Sequence, residues 1–216
     1  MKILLVDDHA VVRQGYASLL RALLPEVMVR EACDGEQALQ MVQEEIPNLV
    51  IMDIGLPGIS GLEVTRRLRQ RLPQLRVLFF SMHDELPLVR QALDAGALGY
   101  LTKTSSPEVL VEAAKRTLAG HAYIEQSLAT HLACNPLGEG SSDPRLRCMT
   151  LREFEIFVML AKGMPSRQIA EHLCISSKTV SNYLTLLKSK LQISSQAELV
   201  HLAIDTGVIR LGLESA

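Results

Sequence analysis

The chain of 216 residues has no tryptophan and only four phenylalanines and four tyrosines, so its interior must be built from Leu, Ile, Val, Ala and Met. Its four cysteines (Cys33, Cys134, Cys148 and Cys174) form no CxxC pair. That excludes a zinc ribbon or a disulfide framework and suits reduced thiols in a cytosolic protein. The six histidines are equally dispersed and read as surface or core residues rather than metal ligands. No apolar run approaches the roughly 20 residues of a membrane-spanning helix. The N-terminus does not read as a secretory leader, since ILLV (3–6) is short and is followed at once by two acids. A net charge of −2 names no partner.

The distribution of charge says more. Residues 1–124 hold 13 Lys/Arg against 15 Asp/Glu, whereas residues 145–213 hold 9 against 5. Such asymmetry points to an acidic site in one half and an anionic partner for the other.

What is present in the first half is alternation. KILLVD (2–7), VMVREA (27–32), NLVIMD (48–53), RVLFFS (76–81) and GYLT (99–102) read as strands, with helical segments near 9–24, 34–45, 61–72, 85–95 and 107–119. Asp34 with Gln37, Ser60 with Glu63, and Ser106 before Pro107 are helix-start signals. Strands apolar along their whole length are buried on both faces, as in a parallel sheet covered by helices. The expected fold is α/β: a flavodoxin-like, doubly wound, five-stranded parallel sheet of order 2-1-3-4-5. Residues 132–148 are rich in Gly, Pro and Ser and read as a linker, with a short helix near 125–131 before it. Beyond Thr150 the pattern becomes all-α, with helices expected at 150–162, 166–173, 177–191 and 196–206 and capping boxes at Thr150/Glu153 and Ser195/Glu198. In the third of these, Val180, Leu184, Leu187 and Leu191 form an apolar stripe.

Asp7 and Asp8 end the first strand and Asp53 ends the third, which are neighbours in this strand order. Ligands of open parallel sheets bind beyond the carboxyl ends of the strands, so three carboxylates converge where like charges repel. Magnesium, a hard cation that takes carboxylate and carbonyl oxygens, resolves that repulsion. Ser81 ends the fourth strand and Lys103 follows the fifth, adding a hydroxyl and an ammonium to the same rim. A metal, a lysine and a hydroxyl suit a phosphoryl group, and one carboxylate can serve as its nucleophile. Taken singly, Asp8 could cap a helix, Asp53 a loop, and Lys103 could be a surface charge; coincidence at successive strand ends is a poor explanation.

The paired acids at 7–8, DIGLPG at 53–58, Ser81 and Lys103 together resemble the receiver domain of two-component response regulators. The resemblance implies that Asp53 accepts a phosphoryl group from a sensor histidine kinase. It implies that Asp8, Asp53 and the backbone carbonyl of Gly55 hold Mg2+, with Asp7 acting through water. It also makes Tyr100 an aromatic switch that turns inward when the Ser81 hydroxyl moves onto the phosphate. Thr104 stands where the family often has proline, which leaves the shape of that loop open.

In SRQIAEHLCISSKTVSNYLTLLKSK (166–190), two helices are joined by a short turn at 174–176. With Ile169, Leu173, Val180 and Leu184 inward, the second helix shows Lys178, Ser181, Asn182, Thr185 and Lys188, with no acid among them. Such a face suits the major groove, although any surface helix has a polar side. TLREFEI (150–156), the run 166–176, KTV (178–180) and KLQIS (190–194) resemble the LuxR-type helix-turn-helix, and receiver and module together resemble the NarL/FixJ family. By that resemblance Lys178, Thr179 and Lys190 contact phosphates of double-stranded DNA, Ser181, Asn182 and Thr185 reach base edges, and 196–206 pairs two copies; the alternative for its small apolar face of Ala197, Val200 and Ile204 is packing entirely within the domain.

The expected domains are 1–122 (receiver), 123–146 (short helix and linker) and 147–213 (helix-turn-helix). The expected protein is a cytoplasmic, phosphorylation-controlled, DNA-binding transcription regulator, homodimeric on activation, without a membrane partner and not an enzyme. An Mg-dependent aspartyl-phosphate phosphatase is the alternative, but it would want its nucleophile on the first strand and an acid two residues on, where Asp53 has Gly55. A flavin or nucleotide carrier on this fold would want a Gly/Ser/Thr-rich first loop, and here that loop is acidic.

Overall fold

Each aliphatic run becomes a strand in the computed structural model, which describes residues 1–24, 26–134, 143–147, 149–173 and 175–209, and all but Met28–Ala32, where Met28 is exposed, are buried almost throughout. The strands are β1 (Lys2–Val6), β2 (Met28–Ala32), β3 (Leu49–Met52), β4 (Arg76–Ser81), β5 (Gly99–Thr102) and β6 (Tyr123–Ile124). All pair in parallel, in the order β2-β1-β3-β4-β5-β6. The five-stranded expectation is therefore corrected to six. A two-residue strand is too short to show a periodicity, and it fits because Gly99 lies opposite Tyr123. A β-carbon on Gly99 would stand 2.5 Å from the Tyr123 carbonyl oxygen.

The crossovers are α1 (Ala10–Leu23), α2 (Gly35–Glu44), α3 (Gly61–Arg71), α4 (Leu86–Asp94) and α5 (Pro107–Leu118), followed by α6 (Gln126–Cys134). One face of the sheet presents Ile3, Leu5, Leu49, Ile51, Leu78, Phe80 and Leu101 to Leu20 of α1 and to Leu110, Ala113 and Ala114 of α5. Burying each large aliphatic side chain contributes about 1.5–3 kcal/mol, well above an exposed ion pair, so this layer holds the unit together. Local chemistry sets the helix starts. Asp34 and Ser60 accept from the amides of Gln37 and Glu63. Ser106 makes no such bond, and its hydroxyl turns to Glu108 instead, holding that carboxylate below its ordinary range.

The chain divides into two compact units, the first reaching to Cys134. In the second, α7 (Pro144–Arg147), α8 (Leu151–Ala161), α9 (Ser166–His172), α10 (Ser177–Leu191) and α11 (Gln196–Asp205) close on Phe154, Phe157, Ile169, Val180, Leu187, Leu191, Leu199 and Leu202. Leu173 and Leu184, expected inside, are half-buried. Thr150 and Glu153 form the full capping box, whereas Glu198 reaches the amide of Ser194 rather than that of Ser195. α10 ends at Gln192 in the left-handed region (φ 55°). Of the sequence expectations, the linker stretch 135–142, Cys148, the turn residue Cys174 and residues 210–213 lie outside the described residues.

Candidate functional site

The ladder carries the acids to one rim. The Asp7 amide donates to the Ala32 carbonyl at 3.1 Å and the Asp53 amide to that of Val6 at 2.9 Å, so both residues continue their strands to the carboxyl edge. Ser81 pairs with Thr102, and the Lys103 amide donates to the Ser81 carbonyl at 2.8 Å. The side chains of Asp7, Asp53 and Lys103 are all nearly inaccessible (2%, 7% and 6% exposed).

Lys103 bridges the two acids, its Nζ lying 2.7 Å from Asp7 Oδ2 and 2.5 Å from Asp53 Oδ2. Burial alone would lower this ammonium, but the Asp53 and Asp7 carboxylates outweigh burial and hold it above the ordinary lysine range. The remaining carboxylate oxygens are fixed from the backbone. The His9 amide donates to Asp7 Oδ1 at 2.8 Å, and the Gly55 amide to Asp53 Oδ1 at 3.3 Å.

Three carboxylates against one ammonium leave a formal charge of −2, the charge a divalent ion cancels. Two like charges about 5 Å apart at an effective dielectric near 20 repel by roughly 3 kcal/mol, so the excess is worth neutralising. The residues fit such an ion. One ligand atom from each of Asp7, Asp8, His9 and Asp53 falls within 4.8 Å of the others. Asp8 Oδ1 is buried without a hydrogen-bond partner. His9 Nδ1 comes within 2.8 Å of that oxygen, but not along a hydrogen-bonding direction, so the close approach leaves it unsatisfied. A buried carboxylate oxygen left so is what a cation would satisfy.

Ser81 is fully buried, and its Oγ accepts from the His83 amide at 3.4 Å. Tyr100 is also fully buried, stacks on Phe79 with centroids 6.2 Å apart, and donates from Oη to the His83 carbonyl at 2.7 Å. The tyrosine is thus turned inward. Peptide bonds among the described residues are all trans, Lys103–Thr104 included.

Sequence reasoning passed over Gly61, Thr102 and Glu125. A β-carbon on Gly61 would stand 1.9 Å from the Asp53 carbonyl oxygen, so only glycine lets α3 begin against the end of β3. Glu125 accepts from the Thr102 amide at 3.0 Å and from its hydroxyl at 2.7 Å. Burial pushes the Glu125 carboxyl up, and the bonds from Thr102, Ser105 and Ser127 overcome this and hold it below its usual range. Neither tie has a local signature, since neither falls at a cap or strand spacing.

In the second unit, α10 exposes Lys178, Ser181, Asn182 and Thr185, with Thr179, Lys188 and Lys190 partly covered. Ser176 caps it through the Thr179 amide at 3.0 Å. The Ser181 and Thr185 hydroxyls donate to the carbonyls of Ser177 and Ser181 at 3.0 and 3.1 Å, so both are engaged within α10, while Asn182 is exposed beside them. Lys190 Nζ rests on Glu153, 2.6 Å from Oε2 and 2.9 Å from Oε1. Burial pushes Glu153 up, but Lys190 and Thr150 outweigh burial and hold the carboxyl below its usual range.

A parallel sheet with an acid–lysine rim followed by a helix-turn-helix defines a response regulator, and the chain belongs to that class in its NarL/FixJ form. The response regulator receiver domain matches residues 3–115 and the luxR family of bacterial regulatory proteins matches residues 147–203. Among its relatives, the transcriptional activator protein ExaE of Pseudomonas putida is 68% identical over 212 residues, covering 98% of this chain and 99% of the relative. The response regulator UvrY of Escherichia coli is 34% identical over 208 residues, covering 96% and 95%. A LuxR-family two-component response regulator from an Aurantimonas species superposes with a TM-score of 0.60 at 39% identity, covering 63% of this chain and 98% of that one. The response regulator ChrA of a heme-sensing two-component system gives 0.52 at 31%, covering 96% and 98%. No helix among the described residues is long and apolar enough to cross a membrane.

Proposed function

We propose that this response regulator is switched by phosphorylation of Asp53, with a sensor histidine kinase as donor, and that the switch controls double-stranded DNA binding by α10. The observation that carries the reading is the Lys103 bridge between Asp7 and Asp53 beside the unpartnered Asp8 oxygen. An Asp53 carboxylate oxygen attacks phosphorus as the P–N bond to the donor imidazole breaks. Lys103, already held on Asp53, turns to the new phosphoryl oxygens, and Ser81 Oγ supplies a hydrogen bond to one of them. Asp8, Asp53 and the Gly55 carbonyl, with Asp7 through water, would hold Mg2+, which when bound neutralises phosphoryl charge.

The signal leaves through His83, whose backbone touches both Ser81 and the inward Tyr100. At α10, Lys178, Thr179 and Lys188 take phosphates, Asn182 takes an adenine edge, and Ser181 and Thr185 line the same face. Lys190 would reach a phosphate by exchanging Glu153 for it. Ala197 is exposed and Val200 and Ile204 are half-buried on α11, an apolar edge on which two copies pair over half-sites about one DNA turn apart. The cytoplasm is the compartment of such a switch.

Incubation with a small phosphodonor and magnesium should retard the protein on a phosphate-affinity gel, with Asp53→Ala running unshifted. An equal shift in that variant removes Asp53 from the role. Continuous turnover of a phosphomonoester would favour the phosphatase instead.

A further inference from the structure

We infer that His9 is a metal-selectivity residue of the acidic pocket, which equips it to take a first-row transition ion of the cobalt–nickel–zinc class through an imidazole nitrogen. The inference rests on the proposal that Asp7, Asp8 and Asp53 hold a divalent cation, and goes beyond it by naming a nitrogen donor and a second class of ion.

His9 Nδ1 lies 2.8 Å from Asp8 Oδ1 and 3.6 Å from Asp7 Oδ1. Two donors occupying neighbouring positions of an octahedral ion with bonds of about 2.1 Å stand about 3 Å apart, so the first spacing is that of a ligand pair. The pair does not form a hydrogen bond, since Asp8 Oδ1 has no donor. A separation that short, off the hydrogen-bonding direction, sets an imidazole nitrogen and a carboxylate oxygen side by side at the pocket mouth. Backbone chemistry keeps them there: the His9 amide is held on Asp7 Oδ1 at 2.8 Å, which fixes the residue at the pocket mouth. The ring itself is 70% exposed, so it can turn toward an ion without loss of packing.

Donor chemistry assigns the class. Magnesium takes oxygen and gains little from imidazole, whereas cobalt, nickel and zinc combine imidazole with carboxylates. A pocket of three carboxylates is selective for hard ions, and adding one nitrogen tilts it toward the borderline series.

The test is a pair of calorimetric titrations of the full chain, with Co2+ and with Mg2+, on wild type, His9→Ala and His9→Gln. Outer partners of metal ligands are worth 10–100-fold in affinity, so loss of a direct ligand should lower the Co2+-to-Mg2+ affinity ratio by at least about tenfold in both variants. The visible Co2+ bands should shift as a nitrogen ligand is lost. An unchanged ratio and unchanged bands in His9→Ala overturn the role of His9 while leaving the magnesium pocket intact. Failure of the wild type to bind either ion overturns the pocket itself, and with it the inference. Matching thermal melting of the three proteins shows that a lower ratio does not come from misfolding.

Discussion

The Tyr100 hydroxyl donates to the His83 carbonyl across 2.7 Å, while the amide of the same residue donates to Ser81. A movement of the Ser81 hydroxyl toward a phosphoryl oxygen therefore pulls on the backbone that anchors the ring. Tyr100→Phe keeps the ring and its stack on Phe79 but removes the bond, a loss of about 1 kcal/mol in urea unfolding. The variant should still accept phosphate. Its DNA affinity should gain less on phosphorylation than the wild type's, and an equal gain would detach Tyr100 from the signal.

Lys103 contributes stability in a definable pH window. Its folded value is raised, so its contribution is complete below the unfolded value near 10.4 and is lost as pH rises through the higher folded value. Urea midpoints of wild type should fall relative to those of Lys103→Met as pH rises above the unfolded lysine value near 10.4. Parallel curves would show that the ammonium is not held by the two acids.

Gly61→Ala places a methyl group 1.9 Å from the Asp53 carbonyl oxygen. Either α3 or the end of β3 must move. Overpacking of this kind costs about 1–3 kcal/mol, and the displaced Asp53 should be phosphorylated more slowly. Gly15→Ala, with nothing within 4 Å of the added carbon, is the control and should leave phosphorylation unchanged.

Glu153 caps α8 and receives Lys190, while its own side chain is only 5% exposed. Its folded value is lowered, so its contribution is present above the unfolded value near 4.3 and lost as pH falls through the lower folded value. Glu153→Gln should cost the second unit about 1–3 kcal/mol at pH 7 and flatten its acid unfolding as pH falls below the unfolded value near 4.3. Circular dichroism of the helical signal measures both.

On DNA, Asn182→Ala should lose about 1–3 kcal/mol at one base pair and relax preference there. Lys178→Ala should weaken all sequences alike and reduce the salt slope by about 1. Fluorescence anisotropy at several salt concentrations separates the two; a uniform loss for Asn182→Ala would remove its base contact.

The strands and caps were legible because their signals are local. An aliphatic run such as LVIM needs both faces covered, and Thr150 with Glu153 states a helix start within four residues. The acid–lysine rim was legible because strand order turns sequence ends into neighbours. The Gly61 and Glu125 ties were not, because each depends on a backbone or side-chain approach that no spacing encodes. Lys190, expected from the resemblance to contact a DNA phosphate, is found on Glu153, since a partner 37 positions away is invisible to periodicity. Leu173 and Leu184 show the same limit: a stripe names an inward face, but the neighbouring helix decides how fully it is covered.

Tyr123 and Ile124 shield the flank of β5, and Glu125 then clasps Thr102 next to Lys103. Trimming the chain just ahead of Tyr123 would bare the carbonyls of Leu98 and Tyr100 and the Thr102 amide along an otherwise inaccessible strand, an open template for a second molecule to join. A shortened receiver prepared that way would self-associate through its sheet, and the pairing would say nothing about how the intact regulator dimerises.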